Sequence, residues 1–186
     1  MPFGCRWPDV MARELGPDYL VIPEGLNGRT TVWEDPVMPF RRGSDHLLPL
    51  LHSHKPLDAV VMMLGTNDMK VRFSASAYDI ARGMALLVDI ARKSETGPGG
   101  SAPRILVAPP PLTTLTEFAE QFEGAAVKSA RLAAHYKSVA AEYGCSFFDS
   151  GDAVRSSELD GIHLDVESHA TLGRALAGAV GRMPGA

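Results

Sequence analysis

The sequence predicts an α/β domain in which a parallel sheet carries helices on both faces. Two observations point there. Short apolar runs of strand length alternate with longer segments of helical periodicity, the pattern of parallel strands joined by helical crossovers. The run at 58–64, Asp-Ala-Val-Val-Met-Met-Leu, is continuously apolar, as expected of a strand buried on both faces. A chain of 186 residues suits one such domain over residues 1–186.

Each element has its own signal. Residues 6–15 read as a short helix closed by Gly16-Pro17. Residues 19–22 (Tyr-Leu-Val-Ile) read as a short apolar strand, and 25–31 as a Gly/Asn loop. Residues 45–54 place leucines and histidines at helical spacing. The apolar strand at 58–64 follows. Residues 75–93 form an amphipathic helix with a stripe of Ile80, Met84, Leu87, Val88 and Ala91. A Gly/Pro/Ser loop at 95–103 leads to a buried strand at 104–108, which Pro109-Pro110-Pro111 stops. An Ala-rich helix at 127–143, a short strand at 146–149 and a closing helix at 166–182 complete the chain. Cys145 reads as a buried strand residue. In such sheets a ligand sits beyond the carboxyl ends of the strands. The loops 25–31, 65–70, 109–112 and 151–163 all follow strands, so they are expected to meet on one edge.

Composition narrows the function. A 45% hydrophobic, 22% charged chain with a net charge of -4 is an ordinary soluble protein and does not suggest a nucleic-acid binder. No apolar run reaches membrane-spanning length. The first residues carry no basic, apolar leader pattern, so the expected location is the cytoplasm. Cys5 and Cys145 have no CxxC spacing.

The chemistry lies in two short motifs. Asp160-Gly161-Ile162-His163 places a carboxylate three residues before an imidazole, close enough to fix its tautomer and let it act as a base. Leu64-Gly65-Thr66-Asn67-Asp68 places an Asn amide just past a buried strand, where it can donate to developing negative charge. Asp68 is expected to cap or close the loop. Gly28, in Gly25-Leu26-Asn27-Gly28-Arg29-Thr30-Thr31, can offer a second N–H without a Cβ in the way. A metal site built on Asp160, His163 and Asp165 is the chemical rival. It lacks an HExxH and leaves the Asn67 turn without a purpose.

These blocks resemble the SGNH (GDSL-type) hydrolase superfamily, and within it the bacterial arylesterase/acyltransferase branch. The resemblance runs through Arg6-Trp7-Pro8-Asp9-Val10, Glu24-Gly25-Leu26 with Arg29-Thr30-Thr31, and Met63 to Asp68. It continues through Val107 to Leu112, Phe147-Phe148-Asp149 and Asp160 to Leu164. It implies a three-layer α/β/α sandwich of flavodoxin-like topology. It also implies Asp160 and His163 as catalytic acid and base, Gly28 and Asn67 as oxyanion donors, and no cofactor or metal. The implied reaction is attack by a serine on a short-chain or aryl ester, giving an acyl-enzyme resolved by water or another acceptor. The expected partner is a small-molecule ester, with neither nucleic acid nor membrane. A homo-oligomer is open, with the 35–42 and 97–103 loops as contact regions.

The chain departs from that pattern at its start. The Gly-Asp-Ser turn and the first central strand of the sheet are not found, so the domain is expected to be N-terminally truncated. Ser44, in Arg42-Gly43-Ser44-Asp45, is the nearest imitation of a nucleophile turn. The alternative expectation is an inactive pseudoenzyme that binds an ester or carbohydrate.

Overall fold

The structure is a computed structural model that describes residues 2–114 and 120–184. Its sheet has three parallel strands in the order β1-β2-β3: Ala59–Met63, Arg104–Ala108 and Ser146–Phe147. Ala59 pairs with Arg104 and Met63 with Ala108, while Leu106 and Val107 face Ser146 and Phe147. Parallel neighbours require crossovers, here made by α3 (Ala77–Arg92) and α4 (Ala125–Tyr143).

Two apolar clusters line the two faces. On one, Ile105 and Val107 of β2 meet Ile80, Met84 and Val88 of α3, Leu132 and Tyr136 of α4, and Leu51 of α2 (Gly43–His54). On the other, Leu106 meets Met11 of α1 (Trp7–Leu15) and Leu172, Leu176 and Val180 of α6 (Val166–Gly181). The alternation of Ile105, Leu106 and Val107 between faces is the period-2 geometry of a strand. The result is the expected three-layer α/β/α arrangement.

Local chemistry sets the helix ends. Ser76 and Asp79 form a reciprocal capping box at the start of α3. Asp165 caps α6 by accepting from the Ser168 N–H. Gly144 ends α4 in the left-handed conformation that favours glycine. α2 begins at Gly43, two residues before the expected start, and tolerates Pro49 within it. A four-residue helix, α5 (Ser150–Ala153), follows β3. Among the described residues no helix is long and apolar enough to cross a membrane.

Four expectations need correction. Residues 19–22 join no strand, and Leu20 is 87% exposed. A segment without a pairing neighbour has no ladder in which to satisfy its backbone, however apolar its side chains. β1 is not buried on both faces: only Met62 is buried and its neighbours are half-buried, because among the described residues β1 pairs with β2 alone. β2, flanked on both sides, is buried from Ile105 to Ala108. The third strand ends at Phe147 rather than 149, since Asp149 caps α5 through the Gly151 N–H. Cys145 lies just before that strand and is half-buried.

Candidate active site

The Asp160–His163 segment is a self-closed turn. Asp160 Oδ1 accepts from the N–H groups of Ile162 (2.9 Å) and His163 (2.8 Å), while Oδ2 lies 2.6 Å from His163 Nδ1. Gly161 between them has φ +65°, a region open to glycine. One carboxylate thus fixes both the backbone and the ring of the histidine. Burial pushes the Asp160 carboxyl up. The hydrogen bonds from Ile162 and from His163 outweigh this and hold it below its ordinary value. It is therefore an anion at neutral pH, and a neutral His163 carries its proton on Nδ1, leaving Nε2 as the basic atom. The His163 side chain is 64% exposed, and no hydrogen bond to Nε2 occurs among the described residues.

The turn is anchored from two sides. The Thr114 N–H donates to the Gly161 carbonyl (2.9 Å), and the Ser157 N–H donates to the His163 carbonyl (2.7 Å). Ser156 Oγ donates to the Leu112 carbonyl (2.7 Å). The loop after β2 and the segment after α5 therefore hold the His163 turn at the carboxyl edge of the sheet.

Asn67 occupies the same edge, in a short 3-10 turn beyond β1. Its Nδ2 donates to the Arg29 carbonyl (3.1 Å), bringing the turn against the loop that contains Gly28. Gly28 is buried with φ +81°, and a Cβ there would lie 2.9 Å from Met38 Cε. The structure thus joins Asp160 with His163, and Asn67 with the Gly28 loop. No hydrogen bond links the two pairs among the described residues.

Asp68, expected to cap or close the loop, closes it. Its Oδ1 accepts from the Thr31 N–H (2.8 Å) and from Thr31 Oγ1. Burial raises its carboxyl to about 6, partly offset by the two Thr31 donors.

Several supports had only faint sequence signals. Tyr136 is fully buried and donates its hydroxyl to the Leu64 carbonyl (2.9 Å), holding the end of β1. A tyrosine within an Ala-rich helix was the available clue. Asp35, fully buried, pairs with Arg72 (3.0 Å) and Lys70 (3.5 Å), tying the 33–42 loop beneath the Asn67 turn. Ser44 lies in the first turn of α2, not at a strand end, and its hydroxyl contacts Asp45. Cys5 precedes α1, with no strand leading into it. Among the described residues no three His, Cys, Asp or Glu side chains cluster as a metal site would need.

Comparisons with known proteins place the family and the fold. Residues 2–171 match the GDSL-like lipase/acylhydrolase family. The inhibitor-bound aryl esterase of M. smegmatis is 40% identical over 95% of this chain and 85% of its own, with a TM-score of 0.91. Est24, a carbohydrate acetylesterase from Sinorhizobium meliloti, is 41% identical over 97% and 86% of the two chains, with a TM-score of 0.92. A lipolytic G-D-S-L family protein from Veillonella parvula shares the fold at 12% identity, over 98% and 91% of the two chains, with a TM-score of 0.72. The search of curated proteins found no match.

Proposed function

Because the chain belongs to the GDSL-like lipase/acylhydrolase family, and is an esterase/acylhydrolase by family, we propose that it serves a serine-type hydrolysis of short-chain or aryl carboxylic esters. The observation that carries the reading is the 2.6 Å contact between Asp160 Oδ2 and His163 Nδ1, with the rest of the ring exposed at the carboxyl edge of the sheet. In this reading His163 Nε2 takes the proton of an attacking serine hydroxyl, and the Asp160 carboxylate stabilises the imidazolium that forms. The carbonyl carbon becomes tetrahedral, and its oxygen takes the negative charge. The Asn67 amide and the Gly28 N–H stabilise that charge. The imidazolium then protonates the departing alcohol or phenol, leaving an acyl-serine. Water, or another acceptor such as an alcohol or hydrogen peroxide, attacks the acyl-serine by the same route in reverse.

The serine itself is supplied by a strand added along β1, not by a serine of the described residues. Two features support this. Among the described residues β1 has a paired strand on one side only. The 19–22 segment exposes Leu20 rather than pairing. Such an open edge is a liability that an added strand removes.

The test is a fusion that places a strand ending in Gly-Asp-Ser ahead of Met1, assayed with p-nitrophenyl acetate. Hydrolysis that disappears in His163→Ala is the expected result. A soluble, cooperatively melting fusion without hydrolysis would overturn the esterase reading in favour of a protein that binds an ester or carbohydrate without cleaving it.

A further inference from the structure

Gly28 and Asn67 lie on segments far apart in sequence, and two donors serve one oxyanion only if the segments keep a fixed spacing. One direct tie is the Asn67 Nδ2 bond to the Arg29 carbonyl. The other joins two residues with no access to solvent. Asp68 and Thr31 are both fully buried, and both Thr31 donors converge on Asp68 Oδ1.

The Thr31 side of this tie is held by two helices. The Ser44 N–H donates to the Thr31 carbonyl (3.0 Å), and the Gly43 N–H to the Thr30 carbonyl (3.1 Å), so the start of α2 grips the strand-like segment. α3 packs so closely that a Cβ on Gly83 would lie 2.4 Å from Thr31 Oγ1. On the Asp68 side, Lys70 is engaged by Asp35, and the Tyr136 hydroxyl is committed to Leu64. Asp68 Oδ2 is buried without a hydrogen-bond partner among the described residues. A buried carboxyl that leaves one oxygen unsatisfied costs stability, so the cost is borne for what Oδ1 does.

We propose that Asp68 is a positioning residue: through Oδ1 and Thr31 it fixes the loop bearing Gly28 against the turn bearing Asn67. The role assigned to that spacing rests on the oxyanion reading of Gly28 and Asn67 given above. Asp68 touches neither substrate nor reacting atoms in this scheme. It acts through Thr31, and its side chain sets where the neighbouring Asn67 amide stands relative to Gly28. Asp68→Asn retains the acceptor oxygen, whereas Asp68→Ala removes it. Thr31→Val removes only the hydroxyl bond at nearly constant volume.

The experiment is amide-resolved NMR with hydrogen exchange on the 186-residue chain and on Asp68→Asn, Asp68→Ala and Thr31→Val. In Asp68→Ala, exchange at the Thr31 N–H rises by about tenfold to a hundredfold, the loss expected for a hydrogen bond to a charged acceptor. The Gly28 backbone and Asn67 side-chain signals shift with it, while protection along β2 is unchanged. Asp68→Asn resembles the unsubstituted chain. Thr31→Val shifts the same Gly28 and Asn67 signals, which keeps the test decisive if Asp68→Ala does not fold.

The proposal falls if Asp68→Ala or Thr31→Val leaves Gly28 and Asn67 in place. It also falls if Asp68→Asn is as disruptive as Asp68→Ala. None of these readouts uses ester hydrolysis. A coupled loop pair in a fusion that never cleaves an ester would sink the esterase reading alone, and an active fusion with uncoupled loops would sink this one.

Discussion

Replacing Asp68 by Asn changes how stability depends on pH, and the structure gives the size of the change. The folded-state carboxyl titrates at about 6 against an ordinary 3.8, because burial penalises its charge more than Thr31 and Lys70 relieve it. A folded-state value raised above the unfolded one means that the folded protein holds the proton more tightly. The stabilisation is therefore complete below about 4 and is lost as pH rises through 6. At about 1.4 kcal/mol per pH unit, the loss comes to about 3 kcal/mol. Asparagine is uncharged throughout and escapes that loss, while the other titrating groups are common to both proteins. The gap in Tm, variant minus parent, should widen between pH 4 and pH 8. For a chain of this size the widening is roughly 6–12 °C. Thermal melts followed by circular dichroism in matched buffers provide the assay. A gap that stays flat over that range would show that Asp68 ionises in the folded protein at no cost, and the buried-carboxyl account would be wrong.

Three further outcomes follow from named contacts. Tyr136→Phe leaves the Leu64 carbonyl without its buried donor and should cost about 1–2 kcal/mol in urea unfolding; an unchanged midpoint would mean that the bond contributes nothing. Gly173→Ala would put a Cβ 2.5 Å from Val10 Cβ and 2.8 Å from the Trp7 carbonyl, in the α1–α6 contact, and should destabilise by about 1–3 kcal/mol through overpacking; a neutral result would show that α1 shifts freely. Asp160 has a lowered carboxyl, so its contribution is present above the unfolded value and lost as pH falls through the folded one; Asp160→Asn should therefore narrow its deficit relative to the parent in acid, and a deficit independent of pH would remove the charge from the account.

Much of the fold was legible because its signals are local. The α3 stripe Ile80, Met84, Leu87, Val88 and Ala91 is buried as its spacing requires, and β2 needed only a short apolar run stopped by prolines. The 19–22 segment shows where local signals fail. Its apolar side chains fit a strand, but pairing depends on a neighbour that residue composition does not encode. β1 failed in the same way: its continuous apolar run predicted burial on both faces, yet its exposure follows from having one partner. At the candidate site, the Asp160–His163 turn was readable because acid and base lie three residues apart. The Thr31–Asp68 link was not, since it joins residues 37 apart in sequence. Asp35, Lys70 and Arg72 were invisible for the same reason: each looks like a surface charge until the fold buries the aspartate.

The central claim is that His163, held by Asp160, activates a serine placed at the β1 edge. Its most direct test is intact-mass analysis of the Gly-Asp-Ser strand fusion after exposure to a fluorophosphonate, with and without His163→Ala. The account predicts a single adduct on the supplied serine, and loss of that adduct in the His163→Ala protein. A folded fusion that takes no label, or one that is labelled equally well without His163, would contradict it.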